Sequence, residues 1–177
     1  MMSRIAWIAA ATLALAGPAK AQEVIGEITA TLDGEQRVWQ TLAATGEEES
    51  YNTGVSDIAG FMWDISIQGY PDGRPGIAGA LSITLIGMTG EDTPQEALIL
   101  YVPERMTQLY SSPEDGVEAG EIVQIERLEL GEEGGFVEGR FAAPLCFKDG
   151  FMAPPDPEDC LEIEGHFATD LPPEEAP

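Results

Sequence analysis

The sequence predicts an all-β protein, a single antiparallel β-sandwich of about eight strands. Short segments alternate apolar and polar residues, turn-forming residues separate them about every ten to fifteen positions, and one alternating motif occurs twice near the carboxyl end. The same pattern leaves a closed lipocalin-like β-barrel open as the alternative.

The first 21 residues have the three parts of a secretory signal peptide. Arg4 supplies a positive charge, residues 5–16 are apolar, and Ala19-Lys20-Ala21 has the small-x-small cleavage pattern. The apolar run is shorter than the roughly 18 residues that a membrane-spanning helix needs. We therefore expect cleavage near Ala21 and, for a bacterial source, a mature protein in the periplasm or outside the cell.

The mature chain has room for one domain. Removal of 21 of the 177 residues leaves 156, which is enough for one substantial core and too few for two. We expect residues 22–169 to form the all-β domain. Residues 170–177 are dominated by proline and acidic residues and are expected to form a disordered tail.

The first two strands are predicted to form a hairpin. Ile28, Ala30 and Leu32 alternate with polar residues, and Asp33-Gly34 is a preferred pair for a two-residue type I′ turn. A two-residue loop places Ile28 opposite Trp39, which brings the tryptophan into the core.

Two central strands follow a polar loop at residues 45–54. Residues 58–70 alternate strictly, and residues 81–85 repeat the pattern after a turn rich in proline and glycine. The core face of the first of these strands is predicted to carry Phe61, Trp63, Ile65 and Ile67.

The apolar run Ala97 to Val102 fits a strand or a helix. The preceding Thr93-Pro94-Gln95-Glu96 resembles a capping box with proline at the first helical position. However, Pro103 ends the run after six residues, which favours a strand. An acidic loop at residues 111–120 then leads to another strand at residues 122–130, which changes face across a bulge.

The C-terminal hairpin contains the strongest strand signal. Val137-Glu138-Gly139-Arg140-Phe141-Ala142 recurs as Ile163-Glu164-Gly165-His166-Phe167-Ala168, with a turn-rich loop between the copies. Cys146 and Cys160 flank this loop, and in an oxidising compartment such a pair favours a disulfide. The disulfide would close a 15-residue loop, worth about 3 kcal/mol in the chain-entropy model.

Pairing the two cysteines also fixes the register of this hairpin. Each phenylalanine then faces a glycine across the strands, and the ring can cover it: Gly139 with Phe167, and Phe141 with Gly165. Pro144 has no N–H to donate, so we predict that no strand pairs with its outer edge.

The other face of the hairpin is predicted to be polar. Arg140 lies opposite His166, with Glu138 and Glu164 nearby, and these four are the polar-face candidates. His166 is the chain's single histidine, so any histidine-dependent mechanism must use it. Its neighbours are charged groups rather than a nucleophile, which favours an exposed strand histidine without a catalytic role.

Four acids at the hairpin tip form a weaker candidate for a calcium site: Asp149, Asp156, Glu158 and Asp159. Hard cations prefer clustered carboxylates. The spacing does not match an EF-hand loop, so solvated surface charge is the favoured interpretation. No other cofactor is predicted.

The charge excludes two classes of partner. The chain has 8 basic and 32 acidic residues, and loss of the signal peptide leaves 6 and 32, a formal charge of −26. Nucleic acids and anionic membrane surfaces need basic footprints and would be repelled. Solubility in salty surroundings, as in a marine or halophilic source, is the favoured explanation.

No stretch matches a catalytic or ligand-binding signature. The sequence therefore favours a non-enzymatic binding or interaction module whose protein or small-molecule partner the sequence does not identify. One alternative is a secreted hydrolase that uses loop carboxylates on a neutral or cationic substrate. The other is a carrier of a small apolar ligand, if the sheet closes into a barrel.

Overall fold

The computed structural model describes residues 23–43, 53–58, 60–113, 116–131 and 134–172. In these residues the fold is all β, with antiparallel strand pairings and one short helix. The elements are β1 Val24–Leu32, β2 Glu35–Leu42, β3 Gly54–Ile58, β4 Met62–Tyr70, β5 Ala80–Met88, β6 Pro94–Arg105, β7 Gln108–Ser111, α1 Ala119–Ile122, β8 Val123–Gly131, β9 Gly134–Lys148 and β10 Asp156–Leu171.

The ten strands form one continuous hydrogen-bonded sheet, which folds into two layers of five strands that we call the front sheet and the back sheet. The front sheet has the order β2-β1-β10-β9-β8, and the back sheet has the order β3-β4-β5-β6-β7. Short pairings join the sheets at their margins, where β2 meets β4 over two residue pairs and β7 meets β9 over three. The predicted all-β antiparallel fold is confirmed and is consistent with a sandwich, with ten strands in the described residues where about eight were predicted.

Side chains from both sheets pack together between the layers. Trp39 pairs with Ile28, as predicted, and is 1% exposed. Gly69 of β4 lets the back sheet approach these residues, since a Cβ at this position would lie 2.8 Å from the Trp39 Cβ and 2.9 Å from the Ile28 Cδ1. The core also contains Leu32, Ile65, Ile67, Leu81, Ile83, Leu85, Ile99 and Phe167.

The β1–β2 turn has the predicted type I′ geometry. Asp33 and Gly34 have φ angles of 48° and 81°, and both must be positive in this turn. The turn determines which side chains of β2 face the core. Trp39 points into the core, and Val38 points outward, where it is 48% exposed.

The C-terminal hairpin has the predicted register. Cys146 pairs with Cys160 and forms the disulfide, with the two Cα atoms 4.0 Å apart. Phe167 lies over Gly139, where an added Cβ would be 2.8 Å from the phenylalanine Cζ. Gly165 pairs with Phe141 as predicted, but its nearest neighbours belong to β1, so this glycine gives room to the adjacent strand.

The outer edge of β9 beside Pro144 has no strand partner within the described part of the chain. β8 pairs with β9 only up to Phe141, and β7 pairs with it only from Cys146 onward. The prediction for Pro144 is confirmed. Helix α1 lies in this part of the sandwich and contacts β6, β8 and β9.

The ambiguous run Ala97 to Val102 is a strand, because β6 pairs along its length with β5. The predicted bulge in β8 is also present, where pairing with β9 shifts between Ile125 and Arg127. β3 was not predicted. The prediction that Phe61 lies on the core face was wrong, because β4 begins at Met62 and Phe61 lies in the preceding turn, where it is 52% exposed.

The ends of the chain are described only in part. β10 continues through Leu171, which is 1% exposed, so Asp170 and Leu171 belong to the fold. The predicted signal peptide and residues 173–177 of the predicted tail lie outside the described residues, as does most of the predicted loop at residues 45–54. The described residues include no helix with the length and apolar character needed to cross a membrane.

Candidate functional site

The candidate site lies on the outward side of the front sheet, where the predicted polar-face residues meet. Arg140 of β9 pairs with His166 of β10, as predicted, and His166 pairs on its other edge with Thr29 of β1. Gln124 of β8 pairs with Arg140. Directly opposite residues have Cβ atoms about 5 Å apart, so these four side chains form a row across four strands.

A second row runs beside the first. Glu164 pairs with Ala142 on one edge and with Thr31 on the other, and Thr31 pairs with Gln36 of β2. Together with residues of α1, the two rows line an open depression of about 490 Å³. This volume is in the range of about 300–1,000 Å³ that is typical of ligand sites.

The lining of the depression is polar and mostly accessible. Threonine and glutamine side chains supply neutral hydrogen-bonding groups, Glu121 and Glu164 supply carboxylates, and both glutamates are exposed. His166 and Arg140 are exposed as well. A ligand here would therefore meet hydrogen-bond donors and acceptors of both charge signs.

The positive charge of Arg140 is paired with a carboxylate. Its Nε donates to the Glu126 Oε1 at 2.6 Å. Glu126 is the residue that the β8 bulge adds between Ile125 and Arg127, and bulges re-aim side chains in this way. With side chains 65% and 42% exposed, such a pair contributes at most about 1 kcal/mol. Because Glu126 offsets the charge of Arg140, the other carboxylates of the front sheet give this surface a negative electrostatic potential.

Glu138, the fourth polar-face candidate, lies beside the depression rather than in its lining. It pairs with Ala168, which pairs on its other edge with Glu27, so two carboxylates flank the row that contains His166. We call the outward side of the front sheet the acidic face. On its three central strands it carries Glu27, Glu138, Glu162, Glu164 and Asp170.

Two of the four calcium candidates at the hairpin tip accept hydrogen bonds from neighbouring groups. Asp156 accepts a hydrogen bond from the backbone N–H of Glu158 at 3.0 Å, and Asp159 accepts one from the Tyr110 hydroxyl at 3.4 Å. Asp149 is exposed. Among the described residues, no three His, Cys, Asp or Glu side chains are grouped so as to hold a metal ion.

A polar cluster that was not predicted from the sequence lies at the end of the sandwich beside the β1–β2 turn. Arg37 donates from Nη1 to the Tyr101 hydroxyl at 2.8 Å and from Nη2 to the Glu35 Oε2 at 3.0 Å. The hydrogen bond to Glu35 is the main reason that the pKa of Arg37 is raised. Grooves of about 460 and 380 Å³ adjoin this cluster.

A signal for this cluster is present in the sequence. The type I′ turn puts Arg37 on the same side of β2 as Trp39 and two residues nearer the turn. The guanidinium therefore lies where the core opens at the end of the sandwich. Its partner Tyr101 is 64 residues away, so the contact itself depends on the fold.

The phenol of Tyr110 provides a test of the electrostatics near the hairpin tip. Partial burial raises the pKa of Tyr110, and the negative charge of Asp159 adds to the increase. Asp159→Asn is therefore expected to lower this pKa while leaving it above the ordinary value of about 10. A raised pKa stabilises the fold below pH about 10, and this contribution is lost as the pH rises through the folded-state value.

Ultraviolet difference titration of wild type against Tyr110→Phe isolates this phenol, and the same comparison made with Asp159→Asn gives the shift. An unchanged Tyr110 pKa in the Asp159 variant would contradict the assignment.

Comparisons of the chain with protein-family models, with curated proteins and with solved structures found no match. The chemistry of the described residues is therefore the available guide to function.

Proposed function

We propose that this protein is an exported, non-enzymatic binding module that holds a cationic partner on its acidic face. The observation that supports this most directly is the open depression of about 490 Å³ in that face. A lysine or arginine side chain entering it would meet the carboxylates of Glu121 and Glu164, and charge-assisted hydrogen bonds are stronger than neutral ones. The surrounding threonine and glutamine groups would orient the partner.

The arrangement of the acids supports a binding role beyond solubility. Solubility requires negative charge but no particular placement of it. In this fold, five acids share the outward side of three adjacent strands, and one of them, Glu164, lines the depression. An excess of negative charge around a site raises the local concentration of cationic ligands and the rate of their association.

Export is supported by the signal-peptide pattern of residues 1–21 and by the chemistry of the two cysteines. The Cys146–Cys160 disulfide is compatible with an oxidising compartment. We therefore propose the periplasm or the cell exterior as the place where the partner is met.

Binding of a lysine-rich peptide to the mature chain tests this function. We expect binding in moderate salt, and we expect the double variant Glu121→Gln with Glu164→Gln to weaken it up to about tenfold, because two exposed charged contacts of up to about 1 kcal/mol each are lost and about 1.4 kcal/mol corresponds to a factor of ten. Isothermal titration of the peptide into each protein measures the difference.

The control is the double variant Glu91→Gln with Glu104→Gln. Both residues are exposed and lie outside the front sheet, and the change in net charge is the same. We expect its affinity to stay close to that of the wild type. Equal weakening in both variants would mean that the peptide responds only to net charge, and that result would overturn the proposal.

A further inference from the structure

His166, the single histidine of the chain, lies in the depression of the acidic face. Its strand, β10, is the middle strand of the front sheet, and the side chain is exposed. His166 pairs with Arg140 on one edge of β10 and with Thr29 on the other. It lines the depression together with Glu121 and Glu164, the two carboxylates that are proposed to meet the cationic partner.

Most of the charged groups around His166 are carboxylates. Arg140 supplies the positive charge next to it, and this guanidinium already pairs with a carboxylate at 2.6 Å. The remaining elements of the front sheet supply neutral or negative groups, so a neutral imidazole leaves the surface negative. The charged groups nearest to His166 are Arg140 and Glu138 of β9, Glu164 of β10, Glu27 of β1, Glu126 of β8 and Glu121 of α1.

Protonation of His166 would cancel the negative charge of the lining. Two carboxylates and the Arg140 guanidinium leave the lining with a formal charge of −1 while His166 is neutral, and a protonated His166 brings it to zero. An imidazolium would also compete with the partner for Glu164, which lies two positions along the same side of β10, about 7 Å away. Both effects disfavour a bound cation.

We propose that His166 makes partner binding depend on pH, so that the acidic face holds its cationic partner when this imidazole is neutral and releases it when the imidazole is protonated. The inference rests on the proposed function and adds regulation to the same site. Between pH 7.5 and 5.5, histidine ordinarily gains a proton, whereas aspartate, glutamate, lysine and arginine ordinarily keep their charges. The charge of the depression therefore changes in this interval through one side chain.

Isothermal titration of a lysine-rich peptide into the mature chain at pH 7.5 and at pH 5.5 tests the proposal, with the ionic strength held constant. The peptide has blocked ends and contains no histidine or acid, so its own charge does not change. We expect binding to be about fourfold weaker at pH 5.5, the effect of two like unit charges about 5 Å apart in water.

Two variants separate His166 from the other titratable groups of the chain, which both of them keep. His166→Gln has a polar side chain that does not titrate, and the ratio of its affinities at the two pH values is expected to be close to one. His166→Arg carries a permanent positive charge and is expected to bind weakly at both pH values. Near-ultraviolet circular dichroism confirms that the variants are folded, and His166→Thr replaces His166→Gln if that variant is not.

Proton release gives a second readout. Because a proton on His166 weakens peptide binding, the peptide must in turn expel that proton. Titrations near pH 6.5 in two buffers of different ionisation enthalpy are therefore expected to show release of a fraction of a proton by the wild type and none by His166→Gln.

The outcomes distinguish this inference from the proposed function. Weaker binding at pH 5.5 that disappears in His166→Gln supports the inference. Equal affinities of the wild type at the two pH values overturn it and leave the proposed function standing, and so does a pH dependence that persists unchanged in His166→Gln. A peptide that does not bind at pH 7.5 overturns the proposed function and this inference with it.

Discussion

Replacing Phe167 with alanine is expected to lower the free energy of unfolding by about 3–5 kcal/mol. Phe167 is fully buried, and its ring stacks on Phe141 with the centroids 6.3 Å apart. Truncation would leave a cavity above Gly139, which has no side chain to fill it. Domains of this kind have total stabilities of about 5–15 kcal/mol, so the variant is expected to be close to unfolding.

Urea denaturation measures this loss, with Phe151→Ala as the control. Phe151 lies in the turn at the hairpin tip and is 52% exposed, so its truncation is expected to cost less than about 1 kcal/mol. Equal losses would contradict the view that Phe167 and Gly139 form a specific core contact.

The register of the C-terminal hairpin could be predicted because two independent signals agree. A disulfide requires its cysteines to lie close together, and the same register sets Phe167 over Gly139. A shift of one residue would move each side chain to the opposite face. The alternation of apolar and polar residues, combined with the disulfide, was therefore sufficient to predict which side chains of this hairpin face the core and which face outward.

Elements that depend on distant partners were harder to predict. The strand character of Ala97 to Val102 comes from its pairing with β5, whereas the local sequence also permits a helix. Similarly, β3 is a five-residue strand whose formation depends on pairing with β4. Strand propensity describes how a residue fits beside its neighbours, and these neighbours are set by the fold.

The candidate site could likewise be predicted from the sequence only in part. The pairing of Arg140 with His166 follows from the hairpin register, and both residues were predicted from the sequence. The depression requires the added strands β1, β2 and β8 and the helix α1, which come from separate parts of the chain. The contact between Arg140 and Glu126 depends on which residue the β8 bulge turns outward, and sequence alternation alone does not specify that residue.

Removing the disulfide with the double variant Cys146→Ser and Cys160→Ser is expected to cost about 3 kcal/mol of stability. The disulfide closes a 15-residue loop, and its main effect in the chain-entropy model is to restrict the unfolded chain. The native hairpin should keep its register, because the contact between Phe167 and Gly139 and the pairing of β10 with β1 do not involve sulfur.

Urea denaturation of the oxidised wild type, the reduced wild type and the double variant separates these effects. Reduction and substitution should lower the free energy of unfolding by similar amounts, since both remove the same constraint from the unfolded chain. The native near-ultraviolet circular dichroism should be unchanged, because the core around Trp39 and Phe167 is intact. If that signal is lost on reduction, the disulfide is needed to hold the native strands together, and the packing of Phe167 over Gly139 does not fix the register by itself.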